Sequence, residues 1–289
     1  MSPSPFITDA FTGSNGALWS PLRWSTGVST SSVIDIQSSS GHLQVPASNN
    51  GWARASDDST APRNAGSTMQ DADVTASVKA SSIGGGLTTR IWARASGAWN
   101  TTNNYLQTAG YALVLNHASN TVALTKMTTA ANTETSLGSA SFTYAINTLY
   151  KVRLEVVGTT IRARIWNSTG SEPSTWNVTA TDSTFASGVT AVSVNTGTNT
   201  TIRDVYVDDV AVTPATSAST LTAYDTINTY NSWGLPETVV EAATGTQTNV
   251  NQRTFTRVYN AGGLAVTDIQ SDGTTCGIQI TAAFDELDV

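Results

Sequence analysis

The sequence has little charge, one cysteine and no long apolar run. Only 12% of its 289 residues are Asp, Glu, Lys or Arg, which is roughly half the usual share. Cys276 is the single cysteine, so no disulfide can form within the chain. No segment approaches the roughly 18 consecutive apolar residues that span a bilayer. We therefore expect no membrane insertion.

The charge that is present is mainly negative, with a formal net charge of −7. Nucleic-acid binding usually requires a basic surface, so we expect no nucleic-acid partner. The segment from Met1 to Phe6 has neither the basic region nor the apolar region of a secretory signal peptide. The sequence therefore predicts a protein made in the cytoplasm without a signal peptide.

Thr, Ser, Asn, Ala, Gly and Val dominate instead, a composition typical of strands and turns. Apolar and polar residues alternate with a period of two in many short segments, which predicts half-buried β-strands. No segment before residue 214 shows a helical period. The predicted strands there are 41–45, 73–79, 88–95, 111–115, 121–127, 149–157, 161–166, 190–194 and 205–212.

The last quarter of the chain predicts a separate, smaller domain. Residues 214–222 begin with Pro214 and lack charge and pattern, so we interpret them as a linker between residues 1–213 and residues 223–289. The later part predicts strands at 254–259, 264–270 and 276–281. Residues 237–243 could form a short helix or a strand. A domain this small buries limited apolar surface, so we expect it to serve assembly or attachment.

Four local features between Asp9 and Val212 resemble the concanavalin A-like lectin/glucanase superfamily. They are the opening Asp9 to Trp19 with Trp24, the segment Gly41 to Val45, the segment Tyr150 to Gly158 with Arg162 to Trp166, and the closing Asp208 to Val212. The resemblance implies an all-β fold, an antiparallel jelly-roll β-sandwich, with the small and mainly β C-terminal domain attached. It leaves function open, because this fold carries glycosidases, lectins and structural modules.

Glycosidases of this superfamily carry Glu, Asp and Glu within six residues on one strand, and hydrolysis needs two carboxyl groups about 5–10 Å apart. None of the Glu residues here belongs to such a cluster. Glu155 lies on a predicted strand of the sandwich without a carboxylate two or four residues away. The sequence therefore predicts a protein that is not an enzyme. The Glu residues are Glu134, Glu155, Glu172, Glu237, Glu241 and Glu286.

No cofactor is firmly indicated. His42 and His117 are far apart in sequence, and no Cys-x-x-Cys is present, so the spacing does not predict a zinc site. The resemblance implies one candidate, a structural Ca²⁺ held between the first and last strands by Asp9 and by Asp208 or Asp209, since carboxylates suit that ion. The alternative is that these aspartates cap turns or face solvent.

Aromatic residues in polar loops are the candidate ligand contacts, because sugars stack on flat aromatic faces. The loop from Gly97 to Tyr105 contains Trp99, Asn103 and Tyr105, and Trp52 with Arg54 forms a second candidate. The alternation of Arg90 and Arg94 predicts two guanidinium groups on one sheet face, where they could hold a hydroxyl-rich or anionic ligand. Packing on neighbouring loops or subunits, or a solvated face, is the alternative.

These features together predict a non-enzymatic phage virion protein, a minor tail or receptor-binding component that contacts host surface glycans. Its expected partners are other virion proteins and copies of itself, with repeated copies giving avidity. Two alternatives remain open. One is a structural virion protein without sugar binding, such as a capsid decoration or tail scaffold, and the other is a secreted bacterial carbohydrate-binding protein.

Overall fold

The computed structural model describes residues 7–47, 50–57, 69–129 and 133–215, together with the backbone of five later strands between residues 224 and 281. The regular structure of this described part is all β-strand. It contains no helix that could cross a membrane. The chain divides into two compact units, residues 1–217 and residues 218–289.

The first unit contains two antiparallel sheets. The eight-stranded sheet has the order β13-β12-β11-β6-β15-β4-β3, with β1 also paired to β15, and the seven-stranded sheet has the order β10-β9-β8-β7-β14-β5-β2. In chain order the strands are β1 (Ile7–Asp9), β2 (Trp24–Val28), β3 (Val33–Gln37), β4 (Ser40–Val45), β5 (Trp52–Asp57), β6 (Ala72–Ala80), β7 (Thr88–Ala95), β8 (Gly110–Asn116), β9 (Thr121–Met127), β10 (Thr135–Ser141), β11 (Leu149–Val157), β12 (Thr160–Asn167), β13 (Val178–Thr181), β14 (Val189–Asn195) and β15 (Arg203–Pro214).

The two sheets share one apolar core. Val74 and Val152 of the eight-stranded sheet belong to the same buried cluster as Ile91, Leu113 and Val192 of the seven-stranded sheet. Successive residues of a strand point to opposite faces, so the period-two alternation places these side chains on the inner faces. The sequence prediction of an all-β antiparallel sandwich is therefore confirmed.

The acidic-aromatic opening of the chain contributes three aromatic rings to this core. Phe11, Trp19 and Trp24 are buried, and their ring centroids lie 4.4 to 6.0 Å apart. The indole N–H of Trp19 donates to the backbone oxygen of Asp35 at 2.7 Å, and that of Trp24 donates to Oδ2 of Asp9 at 2.8 Å. Each buried indole therefore has the hydrogen-bond partner that its burial requires.

The second unit contains a five-stranded antiparallel sheet in which each strand pairs with the next along the chain. Residues 236–243 form a strand, which settles the choice between helix and strand at 237–243. β15 continues to Pro214, the first residue of the predicted linker, and residues 216–222 lie outside the described residues. The five strands are β16 (Tyr224–Tyr230), β17 (Pro236–Ala243), β18 (Arg253–Tyr259), β19 (Ala265–Ser271) and β20 (Cys276–Thr281).

A bulge near the end of β7 redirects Arg94. The register between β7 and β14 shifts between Val189 and Ala191, and Arg94 has a φ of 48°. As a result Ala93 belongs to the inner core, whereas Ala95 belongs to an apolar cluster on the outer face. The prediction that Arg90 and Arg94 share a sheet face is therefore corrected, because a bulge inserts extra residues and breaks the alternation.

Arg94 instead ties three chain segments together. Its buried guanidinium donates to the backbone oxygens of Gln70, Gly158 and Phe185 at 2.5 to 2.8 Å. It also pairs with Asp71 at 2.9 Å. A charge at this depth requires such a set of partners, because removing it leaves several acceptors desolvated and unpaired.

Replacing Arg94 should therefore destabilise the sandwich. We expect Arg94→Met to lower the free energy of unfolding by about 3 kcal/mol. Urea denaturation monitored by tryptophan fluorescence measures this change. Lys151→Met is the matched control, since Lys151 is exposed on β11, and it should change stability by less than about 0.5 kcal/mol. Equal effects of the two substitutions would contradict this role of Arg94.

His117, at the turn between β8 and β9, is a buried titratable group. Its Nε2 lies 3.0 Å from Oγ1 of Thr89, and its ring lies 4.6 Å from that of Tyr144. Nδ1 is buried without a hydrogen-bond partner among the described residues. Burial disfavours the charged imidazolium and lowers the pKa of His117 from 6.5 to about 4.

This lowered pKa links stability to pH. Well above pH 6.5 His117 is neutral in both states, so its burial adds no electrostatic penalty. Between pH 6.5 and about 4 the unfolded chain binds a proton that the folded chain resists, and the free energy of unfolding should fall by up to about 3 kcal/mol. Denaturation of the wild type and of His117→Gln across this range measures the effect. The difference between them should follow pH, and a constant difference would refute the linkage.

Candidate functional site

The outer face of the seven-stranded sheet carries an apolar cluster and a row of polar residues. Every residue of β7, the central strand, is buried. Trp92 belongs to the outer cluster with Ala112, Val114 and Met127, and its indole N–H donates to Oγ of Ser193 at 3.1 Å. An antiparallel sheet usually exposes one face to water. Because the outer face of this sheet carries apolar side chains, another segment must cover them to keep them buried.

The segment 96–109 provides that cover. Its two ends pair through hydrogen bonds from Asn100 N to Leu106 O and from Thr108 N to Ala98 O, both at 2.8 Å. Leu106 is buried in the outer cluster, and Trp99 and Tyr105 pack against it from positions that stay partly exposed. We call this segment the covering loop. It holds two aromatic rings at the rim of the sheet.

One side of the loop meets Arg54 of β5. The Arg54 guanidinium lies 4.6 Å from the ring centroid of Trp52 and 5.0 Å from that of Trp99, and it donates to the backbone oxygen of Asn104. These distances are those of cation–π contacts. Arg54, Trp52 and Trp99 are all partly exposed, so the three side chains form an accessible aromatic and cationic surface.

The other side of the loop meets Arg90 of β7. Arg90 lies 5.0 Å from the ring of Tyr105 and forms a bidentate pair with Glu134, with Nη2 at 2.7 Å from Oε2. It also donates to Oδ1 of Asn195 at 2.5 Å, and Glu134 accepts a hydrogen bond from Thr125 at 2.8 Å. This buried ion pair is fully hydrogen-bonded and electrically balanced.

The structure brings six of the seven predicted ligand residues to one face. Asn103 lies in the covering loop, where its backbone N–H donates to Oδ1 of Asn100 at 2.9 Å, and Arg94 alone lies elsewhere. Glu134 and Asn195 are further members of the site that sequence reasoning missed. Strand register is the signal for Asn195, which faces Trp52 across β5 and β14. The six residues are Trp52, Arg54, Arg90, Trp99, Asn103 and Tyr105.

The three aspartates predicted to bind Ca²⁺ have other partners. Asp9 accepts hydrogen bonds from Phe11 N and from the Trp24 indole, while Asp208 accepts from Ser40 Oγ and from the Asp209 N–H. Burial, together with the neighbouring charges of Asp209 and Asp9, outweighs these hydrogen bonds and raises the pKa of Asp208. Among the described residues no group of three or more His, Cys, Asp or Glu side chains is arranged to hold a metal ion.

The outer face of the eight-stranded sheet carries a second polar surface. Trp166, Lys151 and Asp209 line a shallow depression of about 220 Å³. On β4 of the same sheet, Nδ1 of His42 lies 2.7 Å from Oδ1 of Asp35, and Nε2 lies 3.0 Å from Oδ1 of Asp204. The ring of Tyr206 stacks on that of His42 with a centroid distance of 5.0 Å. Burial raises the pKa of Asp204, but hydrogen bonds from Gln44, His42 and Ser81 outweigh it and hold the pKa below its usual value.

Solved structures with the same architecture include three proteins related to carbohydrates. One is the laminarinase catalytic domain of Thermotoga maritima MSB8, with 7% identity and a TM-score of 0.52 over 75% of this chain and 100% of that one. Another is the exoplasmic/lumenal domain of VIP36 bound to Ca²⁺ and Man2, with 11% identity and a TM-score of 0.50 over 74% of this chain and 89% of that one. The third is a protein from work on endo-acting O-glycanases of the human gut microbiota, with 9% identity and a TM-score of 0.50 over 74% of this chain and 100% of that one. These likenesses confirm the predicted jelly-roll fold.

No protein-family model matches the chain, and no curated protein sequence matches it. The function of the site therefore has to be argued from its residues. On the outer face of the seven-stranded sheet, Glu134 is the one carboxylate that the described residues contribute, and it is engaged by Arg90. The site thus offers aromatic faces, one accessible cation and hydrogen-bonding groups.

The docking of the covering loop can be tested at Leu106. Removing this buried side chain leaves a cavity, so Leu106→Ala should lower the free energy of unfolding by about 2–3 kcal/mol. It should also speed amide hydrogen exchange between Trp99 and Gln107, because the loop loses its anchor. Leu18→Ala is the control, since Leu18 is 76% exposed. Unchanged exchange in Leu106→Ala would show that other contacts hold the loop.

Proposed function

We propose that this chain binds a carbohydrate on the outer face of the seven-stranded sheet and does not hydrolyse it. The observation that carries this proposal is the convergence of Trp52, Trp99 and Tyr105 from two separate chain segments onto one partly exposed surface. Aromatic rings give the flat apolar area on which sugar rings stack. Arg54 and the loop amides supply polar groups beside them.

The chemistry of the face favours binding over hydrolysis. A glycosidase needs an acid and a nucleophile or base on either side of the scissile bond. The described residues of this face supply only Glu134, which Arg90 and Thr125 hold by hydrogen bonds. The carbohydrate-bound VIP36 domain shares the sandwich architecture, and this likeness supports a glycan as the ligand class. The phage virion setting stays a prediction, and the glycan proposal does not depend on it.

Binding can be tested with an array of β-glucans, mannans, mucin-type glycans and bacterial wall polysaccharides, followed by calorimetric titration of the best ligand. We expect saturable binding by the wild type. Trp52→Ala and Trp99→Ala should each weaken it about tenfold or more, which corresponds to the roughly 1.4 kcal/mol of one lost stacking contact.

Trp166→Ala is the matched control, because Trp166 lies on the other sheet and lines the depression there. It should bind as the wild type does, and thermal melting should show that all three variants are folded. Loss of binding in Trp166→Ala alone would move the site to the eight-stranded sheet. Absence of binding to every array component would contradict the proposal and favour a structural module.

A further inference from the structure

Arg54 has no carboxylate partner among the described residues, in contrast to five other arginines of the sandwich. Five arginines form ion pairs at 2.5 to 2.9 Å, namely Arg90, Arg94, Arg153, Arg162 and Arg164. No Asp or Glu of the described residues pairs with Arg54. Within the described part of the chain, its guanidinium donates to the backbone oxygen of Asn104, a neutral acceptor.

The environment of Arg54 makes this charge costly. Its guanidinium lies between the rings of Trp52 and Trp99, and Nε is buried without a hydrogen-bond partner among the described residues. Burial lowers the pKa of Arg54 below its ordinary value. A cation taken partly out of water is normally compensated by an opposite charge, and none is provided here by the described part of the chain.

We propose that the carbohydrate bound at this site carries an oxyanion and that Arg54 is its partner. This inference rests on the glycan binding proposed above and specifies the class of glycan. A guanidinium binds a carboxylate, phosphate or sulfate through parallel hydrogen bonds. Nη2 of Arg54 makes no hydrogen bond to a described residue, so it is the donor left for such a group, while Trp52 and Trp99 contact the sugar rings.

The charges around the site limit how acidic the ligand is. Arg90 faces Arg54 across Ser193 of β14, two strand spacings away, or about 10 Å. It is already neutralised by Glu134. The chain as a whole carries a net charge of −7, which repels a dense polyanion. The site is therefore suited to one oxyanion on an otherwise neutral segment of glycan.

Calorimetric titration with matched oligosaccharide pairs tests this inference. One pair is a glucuronate-containing oligosaccharide and its carboxyl-reduced neutral form, and the other is a phosphorylated mannose oligosaccharide and its dephosphorylated form. The wild type should prefer the acidic member of at least one pair by about tenfold or more, the effect of one charge-assisted contact. The preferred pair distinguishes a carboxylate ligand from a phosphate ligand.

Arg54→Gln should lose this preference and bind both members of the pair equally and weakly. Arg203→Gln is the matched control, because it removes one positive charge from β15 of the other sheet and should keep the preference. Trp52→Ala should weaken both members alike. These variants separate recognition of the oxyanion from recognition of the sugar.

Two results would overturn the inference while leaving glycan binding intact. One is equal binding of acidic and neutral members by the wild type, and the other is an acidic preference that survives in Arg54→Gln. Failure of the wild type to bind any of the four oligosaccharides or any component of the array would instead overturn the proposed function itself. The two failures are therefore distinguishable.

Discussion

β7 lies at the centre of the seven-stranded sheet and is buried on both of its faces. Its inner side chains join the core between the sheets, while Trp92 and Ala95 need a separate apolar cover on the outside. The covering loop meets that need through Leu106. The rest of the candidate site depends on this contact, because anchoring Leu106 also places Trp99 beside Arg54 and Tyr105 beside Arg90. Packing and the candidate site thus share one segment.

The fold was predictable where strands alternate strictly. The segment 149–157 matches β11 residue for residue, and 73–79 lies within β6. Strands such as β10 (Thr135–Ser141) and β13 (Val178–Thr181) escaped prediction, because they are polar and largely exposed and gain their order from pairing with neighbours. Pairing is a non-local property, so a single strand's sequence does not reveal which strands lie side by side.

The site was predictable in its residue types and less so in its geometry. Trp99 and Tyr105 stood out because a polar loop has no core that would require aromatic rings. Arg94 was misplaced because the bulge opposite Thr190 ends the alternation that Arg90 and Trp92 obey. Glu134 gave no signal, because it lies 44 positions from Arg90 in sequence. The two residues come together only because β7, β8 and β9 are neighbours in the sheet.

The two outer faces use similar side chains in different ways. On the eight-stranded sheet, the ring of Trp176 has the guanidinium groups of Arg164 at 4.0 Å and Arg162 at 4.5 Å. Those charges are already matched by Glu172 and Glu155. These two arginines and their carboxylates balance one another, so this cluster around Trp176 gains little by binding an ion. On the seven-stranded sheet, two indole rings share the guanidinium of Arg54, which no carboxylate of the described residues matches. Such an imbalance costs stability in the free protein, and a ligand that supplies the missing charge recovers it as binding energy.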